Sequence, residues 1–87
     1  MSTSGPASAP LHLPVAAKAW CADGYVWVEL ADGRRLGVPV NGFPRLRGAP
    51  QEKLAKVKVE ARGRALRWEE LDEDLSVEGL LDWKSPA

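Results

Sequence analysis

Tyr25-Val26-Trp27-Val28-Glu29-Leu30-Ala31-Asp32-Gly33-Arg34-Arg35-Leu36-Gly37-Val38-Pro39-Val40 is the stretch that decides the fold class. Residues 25–30 are rich in β-branched and aromatic side chains and have the length of a strand. Ala31-Asp32-Gly33 makes a tight turn, with Gly33 free to take a positive φ. The chain then returns through residues 34–40, and the period of two places Leu36, Val38 and Val40 on one face. Pro39 lacks an amide donor, so it marks an edge or the end of that strand.

Outward from this hairpin the same logic continues. Residues 15–21, Val-Ala-Ala-Lys-Ala-Trp-Cys, form a first strand ended by the turn pair Asp23-Gly24. Asn41-Gly42-Phe43-Pro44 breaks the chain, with Phe43 as a buried anchor. Residues 44–47 make one helical turn that Gly48 stops, and residues 49–55 a second short helix with proline at its start. Lys56-Val57-Lys58-Val59-Glu60-Ala61 alternates polar and apolar, the pattern of a half-buried strand. Arg62-Gly63-Arg64 turns it, and Ala65-Leu66-Arg67-Trp68 pairs back. Ser76 caps a short helix over residues 77–81. The expected fold is α+β: a small, mainly antiparallel sheet of two β-hairpins with short helices.

The 87 residues bound the chain to one domain. Residues 1–14 are rich in Ser, Ala and Pro without a charged side chain, and read as a flexible tail. A single α+β domain is expected over residues 15–83 and a short C-terminal tail over residues 84–87. A domain this small holds roughly 3–5 kcal/mol of stability, too little to frame a deep, enclosed active site. One cysteine, Cys21, rules out an internal disulfide and demands no oxidising compartment. The start shows no signal-peptide pattern, and no apolar run approaches the roughly 18 residues of a membrane span. A cytoplasmic location and no membrane partner are expected.

The net charge of zero conceals two blocks. Arg34, Arg35, Arg45, Arg47, Lys53, Lys56, Lys58, Arg62, Arg64 and Arg67 face only Glu52 and Glu60 in the middle of the chain. Glu69, Glu70, Asp72, Glu73, Asp74, Glu78 and Asp82 are the charges of the stretch that follows. The run Asp72-Glu73-Asp74 suggests a metal loop, but the calcium pattern needs Gly at the sixth position and Glu at the twelfth. Counted from Asp72, those positions are Val77 and Trp83. The expected role is structural: Asp72 and Asp74 accept backbone amides near the last helix, and Glu73 and Glu78 point outward.

Catalytic motifs are lacking. His12 stands among prolines without a partner for base chemistry, and Cys21 has no histidine to activate it. No Gly-rich phosphate loop or Cys-x-x-Cys pair is present, so neither an enzyme nor a cofactor is expected. The four tryptophans are expected to supply core area. The basic block interleaved with Trp27, Phe43 and Trp68 raises nucleic-acid binding, but the pI of about 6.6 favours a solvated face paired with the acidic close.

Taken in order, several blocks carry a likeness. Asp23-Gly24, then residues 26–34, Val38-Pro39, Phe43-Pro44-Arg45-Leu46, Ala49, Trp68 and residues 71–81 together resemble the bacterial domain-of-unknown-function family 2442, over about residues 16–81. The resemblance implies a small α+β domain, similar in fold to one at the amino end of some helix-turn-helix regulators. It also implies gene pairs resembling toxin–antitoxin modules. It supplies no catalytic residues, and no helix-turn-helix follows in this chain.

The expected function is therefore a protein-interaction or regulatory module, antitoxin-like in a two-gene system, whose protein partner is the product of a neighbouring gene. The expected contact residues are Glu73, Glu78, Arg45 and Arg47. The alternative is a nucleic-acid-binding accessory domain using Arg34, Arg35, Arg45, Arg47, Arg62 and Arg64. A second copy of the chain is a further expected partner, through an exposed sheet edge.

Overall fold

The computed structural model describes residues 15–83; the two expected tails, residues 1–14 and 84–87, lie outside the described residues. Asp23 and Gly24 turn β1 (Ala16–Ala22) into β2 (Tyr25–Leu30), both with positive φ, 54° and 82°. That two-residue turn matches the twist of the strands it joins. β2 pairs antiparallel with β3 (Arg35–Pro39) in the register Val26–Val38, Trp27–Gly37 and Val28–Leu36. These strands form one three-stranded antiparallel sheet in the order β1-β2-β3. The alternation expected for residues 36–40 holds: Val38 and Val40 are buried and Leu36 packs beside them.

After β3 the chain makes a single 3-10 turn (Val40–Gly42) and buries Phe43. Phe43 O then accepts the amides of both Leu46 and Arg47, the expected helical turn, and Gly48 leaves it at φ 75°. The second short helix, α1, is Gln51–Leu54, with Pro50 just ahead of it. It ties the molecule together at two points. The Gln51 side-chain amide donates to Cys21 O at 3.0 Å on the outer edge of β1. Leu54 O accepts from the Trp68 indole at 3.1 Å.

The second half differs from the expected hairpin. β4 (Lys58–Glu60) and β5 (Ala65–Trp68) pair as expected around a turn at Ala61–Gly63, but β5 also pairs with β6 (Glu73–Ser76). The result is two three-stranded antiparallel sheets rather than one sheet of two hairpins. β6 escapes the sequence pattern because Asp, Glu and Ser have low strand propensity. It forms because Asp72 adopts φ 51° and reverses the chain, while Asp74 stands directly across from Arg67. α2 (Val77–Leu81) follows at once, and the Ser76 hydroxyl accepts the Gly79 amide at 2.8 Å, the expected cap.

Both sheets turn one face to a common core. Val26, Val28, Leu30 and Val38 enter it from the first, Leu66 and Trp68 from the second, and Val77 and Leu80 from α2. The sheets also meet at their edges, where β1 lies beside β4. Gly63 seats that contact: at φ 87°, a Cβ there would stand 2.7 Å from Ala16 O. Any side chain would push the second sheet off β1. Among the described residues no helix is long and apolar enough to cross a membrane.

Candidate interaction surface

The acidic close and the basic middle meet in space. Lys56 donates to Glu70 at 2.6 Å, and Lys58 approaches Glu69 at 3.6 Å across a shallow groove of about 380 Å³. Arg67 holds Asp74 at 2.9 Å and Asp72 at 3.5 Å, and Arg45 reaches the same Asp72 at 3.8 Å. The Lys56 hydrogen bond lowers the Glu70 pKa, and Glu70 in turn raises that of Lys56. The Asp74 charge, then the bond to Asp72, raises the pKa of the Arg67 guanidinium. The acidic stretch is thus largely balanced by this chain's own cations.

This changes the roles expected for the cluster. Among the described residues no backbone amide donates to Asp72 or Asp74; they lie on the outer side of the second sheet with Arg67. Glu73, expected to point outward, stands across from the buried Trp68 and is half-buried. It is the Glu73 carboxylate that accepts a backbone amide, that of Asp74 at 3.0 Å. The cause is register. Glu73 shares the parity of Leu75, whose cross-strand partner Leu66 is core, so alternation turns Glu73 inward with it.

Of the other expected contact residues, Glu78 is exposed in the first turn of α2. Arg47 donates to Asn41 O at 3.2 Å, and Arg45 faces Asp72. The structure therefore brings Arg45 to the acidic turn that carries Glu73, and does not join the four into one patch. Among the arginines of the nucleic-acid reading, Arg34 pairs with Asp32 at 2.8 Å and Arg35 with Glu29 at 3.6 Å. Among the described residues Arg62 and Arg64 form no ion pair.

The surface that stands out was not among the sequence expectations. Of the four tryptophans only Trp68 is fully buried; Trp83 leans on Phe43, with ring centroids 5.8 Å apart. Trp20 and Trp27 sit on the outer face of the first sheet, where cross-strand pairing makes three rows. Ala22, Tyr25 and Pro39 make the first row and Trp20, Trp27 and Gly37 the second; Lys18, Glu29 and Arg35 make the third. Tyr25, 43% exposed, lies 5.8 Å from Trp27 between ring centroids. Arg35 stacks on Trp20 at 5.6 Å. Gly37 is the seat of the middle row: a Cβ there would stand 2.5 Å from the Trp27 ring, which lies across it.

The signal for this face was in the parity of β2. Val26, Val28 and Leu30 must face the core, so Tyr25 and Trp27 must share the other side with charged Glu29. Large aromatic rings beside a charged residue on a solvent face are interface chemistry, since Tyr and Trp bury much area with few rotors. Cys21, the one thiol, is buried beneath this sheet, and desolvation raises its pKa, so it is held as the unreactive acid. Among the described residues no three His, Cys, Asp or Glu side chains gather where a metal ion could sit.

Comparison with known proteins bears on the whole arrangement. The family model described as "Protein of unknown function (DUF2442)" matches residues 16–86. The chain is similar to a crystal structure of a protein of unknown function from Rhodospirillum rubrum ATCC 11170. That match has 36% identity and a TM-score of 0.77, and covers 82% of this chain and 88% of the other. It is also similar to the solution NMR structure of an uncharacterized protein from Chromobacterium violaceum. There the identity is 26% and the TM-score 0.68, covering 78% of this chain and 64% of the other. No curated protein matches.

Proposed function

The chain belongs to the family of proteins of unknown function DUF2442, and from that premise we propose that it is a protein-interaction module. The observation that carries the reading is the outer face of the first sheet. Tyr25, Trp27 and Trp20 lie together there with Pro39, on the side away from the core. Rigid aromatic side chains on a sheet are the residue types that dominate protein–protein contacts. The partner in this reading is a protein from a neighbouring gene in a two-gene, antitoxin-like system. Lys18, Glu29 and Arg35 then fix its orientation at one end of the face. Glu78 remains as a secondary polar contact outside that face, whereas Glu73, Arg45 and Arg47 are already engaged within the chain. The reading requires no catalytic chemistry.

Co-expression with the neighbouring gene product tests it. Co-elution at micromolar concentration is expected, with binding weakened at least tenfold by Tyr25→Ala, a hot-spot effect of about 1.4 kcal/mol or more. Independent elution of the two proteins, or binding unmoved by Tyr25→Ala, refutes the reading. The nucleic-acid alternative rests on fewer cations than the sequence suggested, because Arg34, Arg35 and Arg45 already face carboxylates. A titration against single- and double-stranded oligonucleotides at low salt separates the two, since phosphate contacts weaken steeply as salt rises.

A further inference from the structure

Two three-stranded sheets have four outer edges, and the structure accounts for three of them. β1 lies beside β4, and Cys21 O on its edge takes the Gln51 amide, so the β1 and β4 edges face one another inside the molecule. β6 is closed chemically. Its ladder to β5 continues as Val77 N to Arg64 O at 2.8 Å, so Leu75 and Glu73 exchange bonds with β5 while Asp74 and Ser76 face outward. The Asp74 amide is already taken by the Glu73 carboxylate, which removes a donor from that edge.

β3 is the fourth edge. Leu30 N donates to Arg34 O at 2.7 Å and Val40 N to Gly24 O at 2.8 Å at the two ends of its pairing with β2. By the antiparallel alternation, Leu36 and Val38 exchange bonds with β2, and Arg35, Gly37 and Pro39 point their backbone groups away. Among the described residues no backbone bond takes the Arg35 or Gly37 amide. The open groups are two donors, Arg35 N–H and Gly37 N–H, and the three carbonyls of Arg35, Gly37 and Pro39.

We propose that a second copy of the chain pairs antiparallel along β3 about a twofold axis at Gly37. The order of open groups is self-complementary about that residue. The two Gly37 residues exchange both bonds, and each Arg35 amide donates to Pro39 O of the other copy. Proline stands where the ladder can spare a donor. This makes four bonds and a six-stranded sheet. The outer face then explains Gly37, whose φ is not in the left-handed range and so needs no glycine. Because Gly37 lacks a side chain, the Trp27 ring reaches the sheet edge. Two such rings, over bonded strands with Cα atoms about 5.5 Å apart, fall within the range of aromatic pairs, about 4.5–7 Å between centroids. Arg35 of each copy lies in the row of Tyr25 and Pro39 of the other. Four backbone bonds along one short strand make a small interface of the transient class, below about 1,200 Å² in total.

The test uses the purified full chain without any partner, so its failure leaves the partner reading untouched. Sedimentation equilibrium from about 1 μM to 1 mM is expected to show growth toward twice the 9.5 kDa of one chain. Amide exchange by NMR should show Gly37 and Arg35 protection rising at least tenfold across that range, with Ser76 on β6 unchanged. Arg35→Pro should weaken assembly at least tenfold while β1 and β2 amides keep their protection. A monomer at every concentration overturns the proposal. So does a dimer whose β3 amides stay unprotected, which would place the contact elsewhere.

Discussion

Replacing Trp68 by phenylalanine tests how the two sheets are held together. Trp68 is 1% exposed, and its indole N–H donates to Leu54 O at 3.1 Å. Leu54 ends α1, so its carbonyl is one of the orphan acceptors that a helix leaves at its end. Trp68→Phe removes that donor and strands a buried acceptor, at about 1–3 kcal/mol. It also deletes three ring atoms, comparable to roughly two methylenes at about 0.8 kcal/mol each. Together these come to about 2.5–4.5 kcal/mol, against a total of roughly 3–5 kcal/mol for a domain of this size. The melting temperature should fall by about 10–36 °C, at roughly 4–8 °C per kcal/mol. Urea unfolding followed by far-UV circular dichroism measures it without relying on the tryptophan signal. Trp20→Phe is the control, because Trp20 lies on the outer face and leaves no buried acceptor. A loss below about 1 kcal/mol for Trp68→Phe, or an equal loss for Trp20→Phe, refutes the reasoning.

Four further outcomes follow from local chemistry. Ala61 sits at φ 54°, where an L-residue costs roughly 1–2 kcal/mol, so Ala61→Gly should raise the unfolding free energy in urea by about 0.5–1 kcal/mol after its own entropy cost. Gly63→Ala, whose Cβ would stand 2.9 Å from the Val15 Cβ, should abolish cooperative unfolding in the same assay. Burial raises the Cys21 pKa above its unfolded value, so the stability it contributes is present below about pH 8.5 and lost as pH rises toward the folded value. The drop in unfolding free energy above that pH should shrink in Cys21→Ala, and native Cys21 should resist alkylation. The Glu70 pKa is lowered by Lys56, so the pair's contribution holds above the ordinary glutamate range and fades as pH falls through the lower folded value. Lys56→Met should move the Glu70 titration upward in carboxyl-detected NMR.

The first half of the fold was legible because its signals are strong and local. Residues 25–30 carry strand-forming side chains, Asp23-Gly24 names its own turn, and Phe43 has only the core to go to. Ser76 was equally plain as a cap. β6 was not legible, because Glu73-Asp74-Leu75-Ser76 has no propensity for the strand it becomes. Its pairing is set by β5 beside it and by the positive φ of Asp72, which is tertiary information. That one omission also inverted the roles of Asp72, Glu73 and Asp74, since the register of β6 decides which of them meets Arg67. The exposed aromatic face was missed for a different reason. Tryptophan was read by hydrophobicity, which points inward, when the parity of Val26 and Val28 had already placed Trp27 outside.

The distribution of charge supports the proposal that recognition falls on the aromatic face and not on the acidic close. An acidic segment attracts a basic partner only with the charge it does not spend internally. Here Glu69, Glu70, Asp72 and Asp74 face Lys58, Lys56, Arg45 and Arg67, all exposed but the half-buried Arg67, so that each pair adds little stability. Their effect is to neutralise the field of the second sheet and to close its outer strand, with Glu73 occupying the Asp74 amide. The first sheet has the opposite character. Its outer face is apolar over two rows and charged over one, and its last strand keeps open backbone donors at Arg35 and Gly37. In the proposed reading, a molecule with one sheet self-satisfied and the other open binds through the open one. The two sheets share a core and differ in what they leave exposed, so the second completes the fold while the first presents it.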